Sequence, residues 1–221
     1  MIGKRRQYRE SFAGKGNTMK PRHRLQQHIR DNRWQYLLIT LIFFSGVIMG
    51  DYKTTGLTSG VKNHLLTLID EYLKGGVNVG LDKQVILFNS FINQAKSIVA
   101  VWFLGLTIIG MPIILGVVFL KGFSLGFTVS FLVKAKAMSG VMISILSILP
   151  QNLVFIPLLI IWSVVGINFT IYIAKGRSMG GLPLSKGFIS YTVLLLISLV
   201  IVLIGSLIEA YLSPWFLSFF I

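Results

Sequence analysis

Four stretches of the chain are almost continuously apolar: WQYLLITLIFFSGVIMG (34–50), SIVAVWFLGLTIIGMPIILGVVFL (97–120), LVFIPLLIIWSVVGINFTIYIA (153–174) and FISYTVLLLISLVIVLIGSLI (188–208). A helix needs about 20 mostly apolar residues to cross the hydrocarbon layer, so each of these reads as a membrane span. A fifth stretch, GFSLGFTVSFLV (122–133), is fenced by Lys121 and Lys134 and is short enough to be re-entrant instead.

Charge arbitrates between four spans and five. Residues 1–33 hold about ten Lys and Arg against Glu10 and Asp31, and such a basic block marks the cytoplasmic side. In the 51–96 loop, Lys53, Lys62, Lys74, Lys83 and Lys96 nearly balance Asp51, Asp70, Glu71 and Asp82, as an external loop should. If 122–133 spans, Lys175, Arg177 and Lys186 fall inside and only Lys134 and Lys136 fall outside. The expected fold is therefore an all-α membrane protein of about five transmembrane helices, N-terminus inside and C-terminus outside. Its parts are a basic cytoplasmic segment (1–33), a first span (34–50), an external loop (51–96) and a four-span region (97–221) ending in an external tail.

Apolar positions in the loop recur at helical spacing. Val61, Leu65, Leu68, Ile69 and Tyr72 share one face, and Leu81, Val85, Phe88, Ile92, Ala95 and Val99 share another, with GGVNVG (75–80) as a hinge. Two amphipathic helices on the outer side either lie in the headgroup layer or dock a partner. Leu65 and Phe88 are the candidate partner contacts.

Within the membrane region, Gly122, Gly126 and Ser130 stand four apart, the spacing that lets helices approach closely. SGVMISILSILPQN (139–152) reads as a half-helix broken at Pro150, Gln151 and Asn152. Asn168 is alone in its span and suits an interhelical hydrogen bond. Glu209, in GSLIEAYLSPW (205–215), sits at the outward end of the last span. It is a candidate anchor for the outer face that partners recognise, through an ion pair with Lys134 or Lys136. The following SPWFLSFFI is too short to cross and is expected to lie on the surface or fold back.

Composition narrows the functions. With 54% hydrophobic and 13% charged residues, the chain is too apolar for a soluble domain. The net charge of +14 would suggest nucleic acid on a soluble fold, but it is concentrated in the basic head. Anionic lipid is therefore the expected partner of that segment, and nucleic acid is not. The head fits a signal peptide poorly, since no small-x-small cleavage site follows its apolar run. The absence of cysteine excludes disulfides and thiolate sites, and His23, His28 and His64 lack zinc-ligand spacing. The four clear spans carry no Asp, Glu, His, Lys or Arg in their interiors for a protease or proton relay. GRSMGGLPLSKG (176–187) lacks the Gly-Lys-Ser/Thr ending of a phosphate loop. Neither an enzyme nor a cofactor is expected.

GLTIIGMPIIL (105–115), KGFSLGFTVSFLV (121–133), SILPQN (147–152) and LIEAYLSP (207–214) together resemble the stage II sporulation protein M family of endospore-forming bacteria. Wider relatives often carry Pro-His-Gly followed by Glu where this chain has Pro150, Gln151 and Asn152. The resemblance implies a multi-pass scaffold without chemistry of its own in the mother-cell membrane at the sporulation septum. Its implied partners are stage II sporulation proteins D and P, hydrolases that degrade septal peptidoglycan during engulfment. A small channel or transporter is the alternative, motivated by the Pro150 break and Asn168, and self-association is left open.

Overall fold

A computed structural model describes residues 29–78, 83–175 and 184–217. Most of the basic head, part of the expected hinge, part of the GRSMGGLPLSKG loop and the last four residues lie outside the described residues. Gln35–Ile221 forms one compact unit; of the separate unit Met1–Trp34, residues 29–34 are described.

All described elements are helical: α1 (Arg33–Thr55), α2 (Ser59–Asn78), α3 (Lys83–Gly105), α4 (Gly110–Ile143), a π-helical turn (Ser144–Ile148), α5 (Leu149–Ala174) and α6 (Leu184–Leu217). Among the described residues, five helices are long and apolar enough to cross a membrane: α1, α3, α4, α5 and α6. The expected number of five stands, but the chain is partitioned differently. The run 97–120 is not one helix: α3 stops at Gly105, residues 106–109 turn, and α4 starts at Gly110. The second expected loop helix is the first half of α3, and 122–133 is the middle of α4. Gly75 to Asn78, expected as hinge, extend α2, while Ser213 to Leu217 of the tail extend α6.

Chain reversal comes from Ala137, whose φ of 48° and ψ of −124° interrupt α4. A positive φ is costly for a residue that carries a Cβ, and a ψ of −124° lies outside the left-handed helical well, so the helix cannot continue through Ala137. Past it, Gly140 comes back against Leu132, where an added Cβ would stand 2.0 Å from the carbonyl oxygen. Lys134 and Lys136 thus sit at the tip of a helical hairpin. The break expected at Pro150–Gln151–Asn152 is absent: these residues belong to the first turn of α5, where a proline's missing N–H costs least. The irregularity is the π turn just before them. Ser144 donates its hydroxyl to the Gly140 carbonyl (2.8 Å), and Asn152 Nδ2 donates to the Ile148 carbonyl (2.7 Å), satisfying backbone groups that lipid could not.

The core lies between α3, α5 and α6. Ile98, Val101, Leu159 and Val164 are fully buried with Ile39, Ile114 and Val118 from α1 and α4. Lipid is as apolar as these side chains, so helix association here rests on close packing and interhelical hydrogen bonds. Tyr191 of α6 provides both. Its ring stacks on Phe169 (4.2 Å) and Trp162 (5.3 Å), and its hydroxyl donates to the Val101 and Trp102 carbonyls at 3.3 Å. Room for it exists because residue 105 is glycine: a Cβ there would stand 2.3 Å from the tyrosine oxygen. Trp162 Nε1 and Thr170 Oγ1 of α5 donate to the Ile98 and Gly105 carbonyls of α3 at 2.9 and 3.0 Å. Asn168 makes the expected interhelical bond, accepting from Gln35 Nε2 at 2.9 Å.

Candidate functional site

Two polar assemblies stand out in this apolar bundle. The first joins the end of α1 to the hairpin tip of α4. Glycines Gly46 and Gly50 of α1 face Gly122 and Gly126 of α4 so closely that Cβ atoms on any of the four would fall 2.1–2.3 Å from a carbonyl oxygen across the interface. One turn further, Thr54 and Ser130 continue both stripes, their hydroxyls 3.0 Å apart. Close approach then lets Lys134 reach back to α1. Its ammonium donates to Asp51 Oδ1 (2.9 Å) and carbonyl (3.3 Å), and to the hydroxyls of Thr54 (2.7 Å) and Thr55 (3.2 Å). Ser130 donates to the same Asp51 carboxylate.

These contacts correct one expectation. Lys134 pairs with Asp51, not Glu209, because it lies on the α1 side of α4.

The second assembly holds Glu209. Ser90 of α3 donates to Glu209 Oε2. With the Gln151 amide in the orientation that satisfies its neighbours, its nitrogen donates to Glu209 Oε2 and Oε1 at 2.6 and 2.7 Å, and its oxygen accepts from Gln94 Nε2 at 2.6 Å. The network ties α3, α5 and α6 near one end of the bundle. Gln151 was expected as part of a break and acts here as a bridge. A cavity of about 170 Å³ adjoins it, lined in part by Gln94, Gln151 and Lys121. Lys121 is not a boundary between spans but lies inside α4, its ammonium 5.3 Å from the centre of the Phe155 ring.

Leu65 and Phe88 lie on different helices, α2 and α3, and neither is among the polar groups of the two assemblies. On α2, Leu65 is partly buried while Val61 and Leu68 remain exposed. On α3, Phe88 is 63% exposed, facing outward with Val85 and Val99, whereas Ser90, Ala95 and Ile98 face inward. Among the described residues no group of three or more His, Cys, Asp or Glu could hold a metal.

The model of the stage II sporulation protein M family matches residues 38–214, most of the chain and all five candidate spans apart from the first residues of α1. This chain belongs to that family. No curated protein and no solved structure matches it. Membership accords with a sporulation-related, multi-pass membrane protein and gives the two assemblies a context: both lie in the family's matched region.

Proposed function

We propose that the chain is a non-enzymatic scaffold of the mother-cell membrane at the sporulation septum, holding stage II sporulation proteins D and P where they degrade septal peptidoglycan for engulfment. The observation that carries this reading is the family match over residues 38–214. The bundle supports it in a particular way. With the N-terminus inside, five spans put the C-terminus outside, and the end of α1, the α4 hairpin tip and Glu209 share the outer side. There α2 leaves α1 only three residues after Thr55, and the Lys134 contacts hold the point from which it departs.

The outer face then has three parts: α2 with Leu65, the start of α3 with Phe88, and the Glu209 network beneath. The α2 face is the docking surface in this reading, since its exposed Val61 and Leu68 lie outside the five candidate spans. On the inner side the basic head lies on anionic lipid. Co-purification of the tagged, full-length protein from membranes with stage II sporulation proteins D and P tests the reading. Leu65→Asp should reach the membrane normally and lose both proteins. Retention of both by a correctly inserted Leu65→Asp protein would remove α2 from the docking surface, and failure of the unaltered protein to recover either would end the scaffold reading.

A further inference from the structure

A groove of about 790 Å³ runs between the two legs of the α4 hairpin, with the end of α1 along its side. The legs meet at the tip, where Gly140 packs against Leu132, and below that contact the π turn supplies Ser144, Ile145 and Ile148 to the lining. Such turns recur at functional sites. Val129 and Val133 of α4 and Leu149 and Leu153 of α5 continue the apolar wall. Ile145, Leu149 and Leu153 are more than half exposed, so the groove is open to the surrounding membrane. Ser144 and Asn152 donate to backbone carbonyls of their own leg. The charged residues of the lining, Asp51 and Lys134, stand at the tip end.

Three observations bear on what fills it. The first is volume. A cavity of about 150 Å³ takes benzene, so this groove holds on the order of thirty carbon atoms, those of the two acyl chains of one phospholipid. The second is depth. Lys134 and Leu125 stand nine residues apart on α4, about 13 Å along its axis, which is close to half of the roughly 30 Å hydrocarbon layer. A transmembrane helix, about 10–12 Å across and roughly 30 Å long, would leave half its length outside the groove. One lipid of one leaflet therefore fits the groove better than a partner's span or a second copy of this chain.

The third observation is charge. In the last turn of α1 and at the α4 tip, Lys53, Lys134 and Lys136 stand with one carboxylate, Asp51. Asp51 is paired with Lys134, so the excess positive charge is that of Lys53 and Lys136, each two residues from a member of the pair. In the orientation proposed above this is the outer end, the side on which Lys and Arg are normally sparse. An anionic headgroup gives that charge a partner. We infer that the groove seats one anionic phospholipid, its acyl chains along Val129, Val133, Ile145 and Leu153 and its phosphate at the tip, attracted by Lys53 and Lys136 beside the partly exposed Lys134. This seat is separate from the basic head and independent of the scaffold role: one concerns a lipid held against the bundle, the other proteins docked on α2.

Photo-labelling of the full-length protein tests it, in phosphatidylcholine nanodiscs that carry a trace of either phosphatidylglycerol or phosphatidylcholine with a diazirine in the acyl chain. Label is read by peptide mapping in the groove segments 125–134 and 141–157 and, as reference, at Leu196, Val200 and Leu203, exposed on α6. The groove-to-α6 ratio should be about tenfold higher for the anionic probe than for the zwitterionic one, since each of two lysines attracts an anionic lipid by about fivefold before screening. Lys53→Gln with Lys136→Gln, which leaves the Lys134 contact with Asp51 in place, should bring the two probes close to equality. Ile145→Trp, which narrows the groove, should lower groove labelling by both probes while α6 labelling holds. Equal ratios for the two probes in the unaltered protein would overturn the inference, and that comparison needs no variant to fold. So would an anionic preference that survives the double substitution with α6 labelling unchanged. Capture of a second copy of the chain, in place of lipid, by a photoreactive amino acid substituted for Ile145 would overturn it as well.

Discussion

Gly126 lies against Val47 so tightly that a Cβ built on it would stand 2.1 Å from the Val47 carbonyl oxygen. The obstacle is backbone, which no rotamer change can move aside, so α1 and α4 must separate to admit a side chain. Gly126→Val should destabilise the protein by about 1–3 kcal/mol or more, the range for overpacking. Gly116 lies in the same helix with nothing within 4 Å of its Cβ position. Gly116→Val should therefore unfold close to the unaltered protein in a detergent melt, and equal losses at the two positions would argue against the close α1–α4 interface.

Separation of those helices should also break the polar contact that depends on it. Lys134 and Asp51 are 44% and 61% exposed, so their charge attraction is screened and the value of the contact is positional. A double-mutant cycle with Lys134→Met and Asp51→Asn should give a coupling that shrinks with added salt. In the Gly126→Val background the coupling should vanish, because the ammonium no longer reaches α1. Persistence of the coupling there would mean that the glycine stripes do not set the distance.

The turn between α3 and α4 gives a third test. Thr107, Ile108 and Ile109 are exposed at a helix junction, whereas an unbroken 97–120 span would bury them in hydrocarbon. The protein has no cysteine to remove. Thr107→Cys should react with a membrane-impermeant maleimide only after the inner side is opened, and Ser59→Cys in intact cells. A Thr107→Cys protein unreactive on both sides would restore the longer span.

What could be read from the chain depended on where apolar and polar residues diverge. The spans beginning at Trp34, Leu153 and Phe188 were legible because polar or charged residues flank each run. The Gly105–Gly110 turn was not: Leu106, Ile108 and Ile109 are as apolar as the helices they join, so no change in hydropathy marks it. The apolar spacing over 85–99 marked a helix but did not mark which side of it packs, since Ala95 is buried while Val85 and Phe88 are exposed. Ser90 and Gln94 turn inward to Glu209 and Gln151, and Val85 and Phe88 turn outward, since in lipid the protein interior is where polar groups find partners. The α4 stripe of Gly122, Gly126 and Ser130 was visible by spacing. Its counterpart, Gly46, Gly50 and Thr54, has the same spacing and was there to be found. Lys134 continues the same four-residue spacing, so its pairing with Asp51 rather than Glu209 follows once that stripe is placed against α1.

Glu209 is the member of the inner network with most to lose. Its two oxygens accept from Gln151 and one also accepts from Ser90, joining α6 to α5 and α3 in an apolar setting. Glu209→Leu removes the acceptors and strands two donors, and each buried donor left unpaired costs about 1–3 kcal/mol. Gln151→Leu removes the bridge to Gln94 as well, so the pair of changes should cost less than the sum of the two, the sign of a shared network. Glu209→Gln is informative in a different way. Its amide oxygen still accepts one bond, but its NH₂ must face Gln151 or Ser90, where an acceptor stood. The variant should insert and fold, melt lower than the unaltered protein but higher than Glu209→Leu, and recover less of the two sporulation hydrolases if the network sets the outer ends of α3, α5 and α6 for docking. Full recovery by Glu209→Gln alongside a lowered melting temperature would confine the carboxylate to stability and leave docking to α2 alone.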